Sequence, residues 1–318
     1  MLSGTDGWIA GDVDSTTGEG LLLRWNGTAW TIVRSWVTVG LNGLSMLSGG
    51  SAGWVVGEAE TIAHWNGSLW LAQTSPSDVN LFSVSMVASN NGWAVGDGGT
   101  IFRYNGTSWA HYETLPSGTD LFGVHMRTSS DGWAVGASPG ATFPPSILHW
   151  NGAAWTVVTP SGVALGESLY AIDTVSATEA WAVGSGIGGP SVPATMLKWD
   201  GSVWASVPSG TPAGSSLFDV DMLSSTDGWA VGCSDPMTGC STPIIVRWNG
   251  LAWSAVTPPS GIEGLNGLFM LSPTNGWAVG FAPTTGGQAA IAHWDGSVWT
   301  TAPGPALSSG GGLISVYM

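Results

Sequence analysis

Asn91-Gly92-Trp93-Ala94-Val95-Gly96 is followed, after a short gap, by Tyr104-Asn105-Gly106-Thr107-Ser108-Trp109. Both strings recur seven times. The first is carried by Trp8, Trp54, Trp93, Trp133, Trp181, Trp229 and Trp277. The second spans Trp25–Trp30, Trp65–Trp70, Tyr104–Trp109, Trp150–Trp155, Trp199–Trp204, Trp248–Trp253 and Trp294–Trp299. Together they hold every one of the 21 tryptophans except Trp36. A third string, Leu-x-x-Val-x-Met, precedes the later six copies of the first, as at Leu81–Met86 and Leu121–Met126, and recurs at Leu313–Met318; Leu44, Ile172 and Leu268 replace its valine, and Thr174 replaces its methionine once. The intervals between Gly-Trp tryptophans are 46, 39, 40, 48, 48 and 48 residues.

Periods of that length built from several short strands mark the blades of a β-propeller. Each unit reads as four strands: Leu-x-x-Val-x-Met, then Gly-Trp-Ala-Val-Gly, then a third strand ending in the hairpin Trp or Tyr, then a short fourth. Asn-Gly or Asp-Gly between the last two predicts a two-residue type I′ turn. The chain starts where a first strand should end and finishes on Leu313–Met318, a first strand with no second strand after it. That register predicts closure, the last strand completing the first blade and leaving no edge open. The expected fold is an all-β, seven-bladed propeller, one domain over 1–318. Its blades lie at 313–318 with 1–33, then 41–73, 81–114, 121–159, 169–207, 217–257 and 265–302. Donation of the last strand to a second copy is the route to self-assembly that this register offers.

Charged residues are only 8% of the 318, with one lysine, Lys198, and five arginines, and the net charge is −15. Phosphate binding rests on Lys/Arg neutralisation, so this balance argues against nucleic acid and against anionic membrane surfaces. No apolar run approaches the roughly 20 residues of a membrane-spanning helix. Met1–Asp6 lacks the basic and apolar regions of a signal peptide. An acidic, lysine-poor chain rich in Ser, Thr and Gly suits an extracellular or cell-surface setting. Cys233 and Cys240, in a Gly/Pro/Ser/Thr loop, are the candidate disulfide, which implies an oxidising compartment. Two thiols without further ligands do not make a zinc site.

Asp131-Gly132-Trp133-Ala134-Val135-Gly136 and the hairpins after such strands resemble the Asp-box (BNR-like) propellers and the photosystem II assembly-factor-like propellers. Those proteins carry Asp-Gly-Trp-Ala-Val-Gly-type strands followed by Asp-x-Gly-x-x-Trp hairpins. The resemblance covers the whole chain and implies the propeller fold. The hairpin departs from it: in Trp65-Asn66-Gly67-Ser68-Leu69-Trp70 a tryptophan stands where the Asp-box aspartate would sit. The sialidase chemistry known in Asp-box propellers needs converging arginines, and Arg24, Arg103 and Arg247 occupy one repeat position on different blades. The basic surface expected of a photosynthetic assembly factor is also absent.

Several residue sets are candidates for function. The hairpin tryptophans share one face of each blade, where they either stack on sugars or pack against the next blade. The residue before each hairpin aromatic is basic or imidazole: Arg24, His64, Arg103, His149, Lys198, Arg247 and His293. This ring offers either one anion or glycan contact per blade or a partner for aromatics and for the Asp/Asn before Gly-Trp. The innermost strands should line an axial channel. Their fifth position reads Ser45, Ser85, His125, Asp173, Asp221, Phe269, Tyr317, and Asp219 stands at a third position. His125, Asp173, Asp219 and Asp221 thus form a polar cluster that suits either solvated carboxylates or Ca²⁺. The second-to-third-strand loops vary most, and recognition resides on such loops. Phe143, Asp235, Thr238 and Gln288 are the loop-face binding candidates, off-centre over blades four to seven. Asn26, Asn66 and Asn105 open Asn-Gly-Thr/Ser sequons on hairpin tips.

The expected function is that of a non-enzymatic extracellular binding or structural interaction scaffold, on its own or as one part of a larger surface protein or assembly, without a cofactor unless the carboxylates hold Ca²⁺. Its partner would be a protein or a surface glycan. A lectin with inter-blade sites and a propeller hydrolase or lyase are the alternatives.

Overall fold

The computed structural model describes all residues except 1–3, 15–16, 34–36, 115–118, 138–139, 141–142, 187–190, 237–238, 283–288 and 308–311. Its strands form seven four-stranded antiparallel units. The fourth is representative: Leu121–Thr128, Asp131–Gly136, Ile147–Trp150 and Trp155–Val157 pair in sequence order. A single bridge, Ser185 to Ser216, links the fifth and sixth blades. The ring closes as the register requires. Leu313–Tyr317 pairs with Gly7–Asp14, setting Tyr317 opposite Trp8 and Val316 opposite Ile9. The edge of the first blade is therefore covered by the chain's own end.

The hairpin turn differs from the two-residue expectation. Trp65 lies opposite Trp70, so four residues make the loop. Asn66 Oδ1 accepts the Ser68 and Leu69 amides, both at 2.9 Å, and only Gly67 has positive φ, at 94°. Asparagine is there to cap the turn through its side chain, and glycine supplies the left-handed backbone. Aspartate does the same work at Asp200 and Asp295. The Ser297 hydroxyl and the Val298 and Ser297 amides pull the Asp295 carboxyl down to about 2. The two hairpin aromatics still share a face, with Trp65 and Trp70 ring centroids 5.8 Å apart.

That face is the blade–blade interface. Each Gly-Trp tryptophan meets the hairpin aromatics of the next blade. Trp8 lies 4.8 Å from Trp65 and 5.2 Å from Trp70, and Trp93 lies 4.7 Å from Trp150 and 5.3 Å from Trp155. Across the closure, Trp277 lies 5.1 Å from Trp25 and 5.4 Å from Trp30. Tilted and edge-to-face rings at these distances are favourable beyond their buried area. The repeat persists in sequence because each copy makes half of two interfaces.

Glycine before the tryptophan is required by close approach. A Cβ at Gly92 would overlap Met86 Sδ, and one at Gly228 would overlap Met222 Sδ. The fifth blade departs at both positions together: Thr174 replaces the methionine and lies opposite Ala180, which replaces the glycine.

Candidate functional site: the axial channel and its loop face

The innermost strands enclose a channel with a cavity of about 370 Å³. Its fifth-position side chains are inter-blade staples. Ser45 Oγ accepts the Met86 amide at 3.1 Å, and Ser85 Oγ accepts the Met126 amide at 3.0 Å. Asp173 Oδ2 accepts the Met222 amide at 2.7 Å, and Asp221 Oδ2 accepts the Met270 amide at 2.6 Å. One level along, Ser83 Oγ accepts Val124 N at 3.2 Å and Asp219 Oδ2 accepts Leu268 N at 2.8 Å. Asn42 and Asn266 donate to the carbonyls of Leu81 and Leu313, both at 2.9 Å. The innermost strand of a blade has an unpaired edge, and a polar side chain from the preceding blade satisfies its amides and carbonyls. In the fourth blade His125 Nδ1 lies 3.0 Å from the Thr174 amide, and in the seventh and first blades Phe269 and Tyr317 occupy the fifth position and stack at 4.6 Å.

Four ionisable groups meet in the channel. His125 Nδ1 lies 2.7 Å from Asp173 Oδ1. Burial opposes charge on both, but their mutual attraction and hydrogen bond prevail. The His125 pKa is raised, and that of Asp173, which also accepts the Met222 and Thr174 amides, is lowered. Burial pushes the Asp219 carboxyl up to about 7 against its hydrogen bonds from Leu268 and Val220. Asp221 is raised well above the ordinary range, first by burial and then by the charge of Asp173. No group of three or more His, Cys, Asp or Glu side chains among the described residues is arranged to hold a metal ion.

A feature that alternation conceals lies at the second position of these strands. Leu121 pairs with Gly136 and Gly123 with Val135, leaving Phe122 at a β-bulge. Leu81/Ser83, Leu169/Ala171 and Leu217/Asp219 show the same break. A bulge re-aims its extra residue, so Phe82, Phe122, Tyr170 and Phe218 line the same cavity as the third and fifth positions. The four half-buried rings follow one another at 5.3, 5.6 and 5.5 Å, forming a collar along blades three to six. The Tyr170 hydroxyl lies 3.2 Å from Ser185 Oγ.

The second position lies near the start of the innermost strand, on the side of the variable loops. Those loops lie beside the linkers between blades: Asp97 N donates to Asn80 O, Ala137 N to Asp120 O and Asp235 N to Gly214 O. Phe143 is 52% exposed on this face, and the exposed Asp235 accepts the Ser241 hydroxyl at 3.2 Å. Thr238 and Gln288 lie outside the described residues. Cys233 and Cys240 are joined as a disulfide at the base of the sixth blade's loop.

The basic ring packs between blades. Its polar partner is in its own blade rather than the next one: Arg24 bonds Asp6 at 3.0 Å, His149 bonds Asp131 at 2.8 Å, Arg247 bonds Asp227 at 2.9 Å and His293 bonds Asn275 at 2.9 Å. In the fifth blade Lys198 finds Glu179 at 3.0 Å, an acid one residue before Ala180-Trp181. The aromatic contact spans the interface. Arg24 lies 5.2 Å from both Trp8 and Trp65, Arg103 lies 5.2 Å from Trp93 and 5.7 Å from Trp150, and Arg247 lies 4.8 Å from Trp229 and 5.9 Å from Trp294. His64, His149 and His293 stack on the tryptophan of their own blade at 4.3–4.4 Å. The shorter imidazole leaves Trp199 and Trp25 part-exposed across two of these interfaces. Asn26, Asn66 and Asn105 are exposed at hairpin tips, with Oδ1 engaged in the turn.

No protein-family model matches the chain, and no curated protein matches it in sequence. Solved structures do match in shape. YCF48 bound to a D1 peptide aligns with a TM-score of 0.61 at 15% identity, over 87% of this chain and 85% of that one. YCF48 from Cyanidioschyzon merolae gives 0.57 at 14% identity, over 85% and 87%. The WD40 propeller domain of Doa1 gives 0.58 at 11% identity, over 82% and 81%. At these identities the likeness is one of fold, and the chain shares the β-propeller architecture of those proteins.

Proposed function

We propose that the chain is a non-enzymatic scaffold that binds a protein partner on its loop face, at the mouth of the axial channel. The observation that carries this reading is the collar of half-buried aromatic rings, Phe82, Phe122, Tyr170 and Phe218, that lines the channel cavity. Aromatic side chains around a concave site are the usual anchors of protein recognition. The channel's polar groups have another employment, since Ser45, Ser85, Asp173, Asp219 and Asp221 each hold a neighbouring blade's amide. That supports a structural role for them over a catalytic one. The hairpin tryptophans are packed between blades, which favours a protein ligand over inter-blade sugar sites. One of the propellers similar in shape is bound to a peptide. The Cys233–Cys240 disulfide and the scarcity of charge support an extracellular or cell-surface setting.

The test is a pair of arrays probed with the intact protein, one of peptides and one of glycans, each with and without Ca²⁺. Saturable peptide binding with a blank glycan array is expected. Binding to a defined sugar instead would replace this reading with the lectin, and its loss on Ca²⁺ removal would assign the carboxylates a cation.

A further inference from the structure

The channel mouth joins two chemistries. Phe82, Phe122, Tyr170 and Phe218 form an apolar collar, and the carboxylates of Asp219 and Asp221 line the same cavity. Asp219 follows Phe218 directly, and Asp221 lies two residues on, about 7 Å further along the strand. We infer that this mouth is a socket for one lysine or arginine side chain of a partner protein, its stem ringed by the collar and its charge directed at Asp219 and Asp221. The inference rests on the protein-binding reading above and names what the site takes.

Complementarity of charge singles out this occupant. Among the described residues, no lysine or arginine lines the cavity. Arg24, Arg103, Lys198 and Arg247 are held between blades, Arg127 bonds Asp131 at 2.6 Å, and Arg34 lies outside the described residues. His125, the one cationic group in the cluster, is engaged by Asp173. The carboxylates of Asp219 and Asp221 therefore have amide partners and no counter-ion of their own. An anionic ligand would meet two acids. An apolar ligand would offer them no partner, whereas a cation favours the ionised forms that burial otherwise holds back. A cation gains from both ring faces and carboxylates. The four-carbon stem of lysine reaches about the depth from collar to carboxylates. The net charge of −15 would in addition draw a basic partner toward the protein.

The experiment is selection of a random-peptide display library on the intact protein, followed by calorimetry of the winning peptide against variants. The selected peptides should share one basic residue. Replacing that residue by norleucine should weaken binding at least about tenfold, as expected for loss of a charge pair. Asp219→Asn should weaken binding to a similar degree. Because Asp219 also holds the Leu268 amide, Phe218→Leu serves as the second variant; it keeps apolar volume but removes the ring, and about a threefold loss is expected. Thermal melting establishes that each variant is folded. Selected peptides without a basic residue, or affinity unmoved by norleucine and by both variants, would overturn the inference while leaving the scaffold reading in place. A library that yields no binder would overturn both.

Discussion

Thr174 and Ala180 face each other across the first two strands of the fifth blade, where the other six blades oppose methionine to glycine. The two departures compensate. A Cβ at the glycine position would occupy the space of the methionine sulfur, as at Gly92 and Met86, so alanine is tolerated only beside a shorter side chain. Thr174→Met should accordingly destabilise the protein by about 1–3 kcal/mol, the usual cost of overpacking. Adding Ala180→Gly should recover most of that loss. Denaturant midpoints of the two single variants and the double variant give the coupling, and additive effects would refute the compensation.

The tryptophan interfaces predict a contrast between two large apolar side chains. Trp93 is fully buried against Trp150 and Trp155, whereas Leu251 is 89% exposed at a hairpin tip. Trp93→Ala should cost about 3–5 kcal/mol. Leu251→Ala should stay within about 0.5 kcal/mol of the parent. Chemical denaturation of both reports the difference directly.

Closure predicts the effect of truncation. Removing Leu313–Met318 takes away the strand that pairs with Gly7–Asp14 and bares the second strand of the first blade. It also removes Leu313, Val316 and Met318 from the cluster around Trp277 and Ile9. The shortened chain should aggregate or lose its single cooperative melting transition, as followed by light scattering and circular dichroism. A melting curve matching that of the intact chain would contradict the closed ring.

The channel acids predict higher stability at mildly acidic pH. Asp219 is raised to about 7 and Asp221 is raised as well, so both hold protons more tightly folded than unfolded. Stability therefore falls as pH rises from the unfolded carboxylate value, about 3.9, to the folded value. The raised His125 adds to this, its contribution being lost as pH climbs through its folded pKa. The lowered Asp173 acts oppositely, losing its contribution only as pH falls below the ordinary carboxylate value. His64 and His293, lowered by burial, act against this over the same window, so the channel acids are read from the gap in melting temperature between about pH 5 and about pH 8 and its change on substitution. Asp219→Asn should narrow that gap; an unchanged gap would refute the role of this acid.

The architecture was legible in the sequence because the repeat is itself the interface: the tryptophan of each second strand and the hairpin aromatics of the next blade recur wherever one blade meets the next. Closure was legible from the lone first strand at 313–318. The third and fifth positions of the innermost strands were legible as channel residues by strand alternation. The collar was not, because alternation places Phe82, Phe122, Tyr170 and Phe218 elsewhere, and the bulge that re-aims them depends on backbone pairing. Nor was the employment of Asp173, Asp219 and Asp221 legible, since the amides they hold belong to residues 49 positions on in the chain. The turn at Asn66 was misread because an Asn-Gly pair serves both a two-residue turn and a four-residue loop capped by the side chain.

Hydrogen–deuterium exchange of the protein, with and without a saturating peptide from the array, tests the central claim most directly. The account predicts protection at the starts of the innermost strands, around Phe82, Phe122, Tyr170 and Phe218, with the hairpins unchanged. Protection confined to the hairpins around Asn26, Asn66 and Asn151, with the channel mouth unaffected, would contradict it.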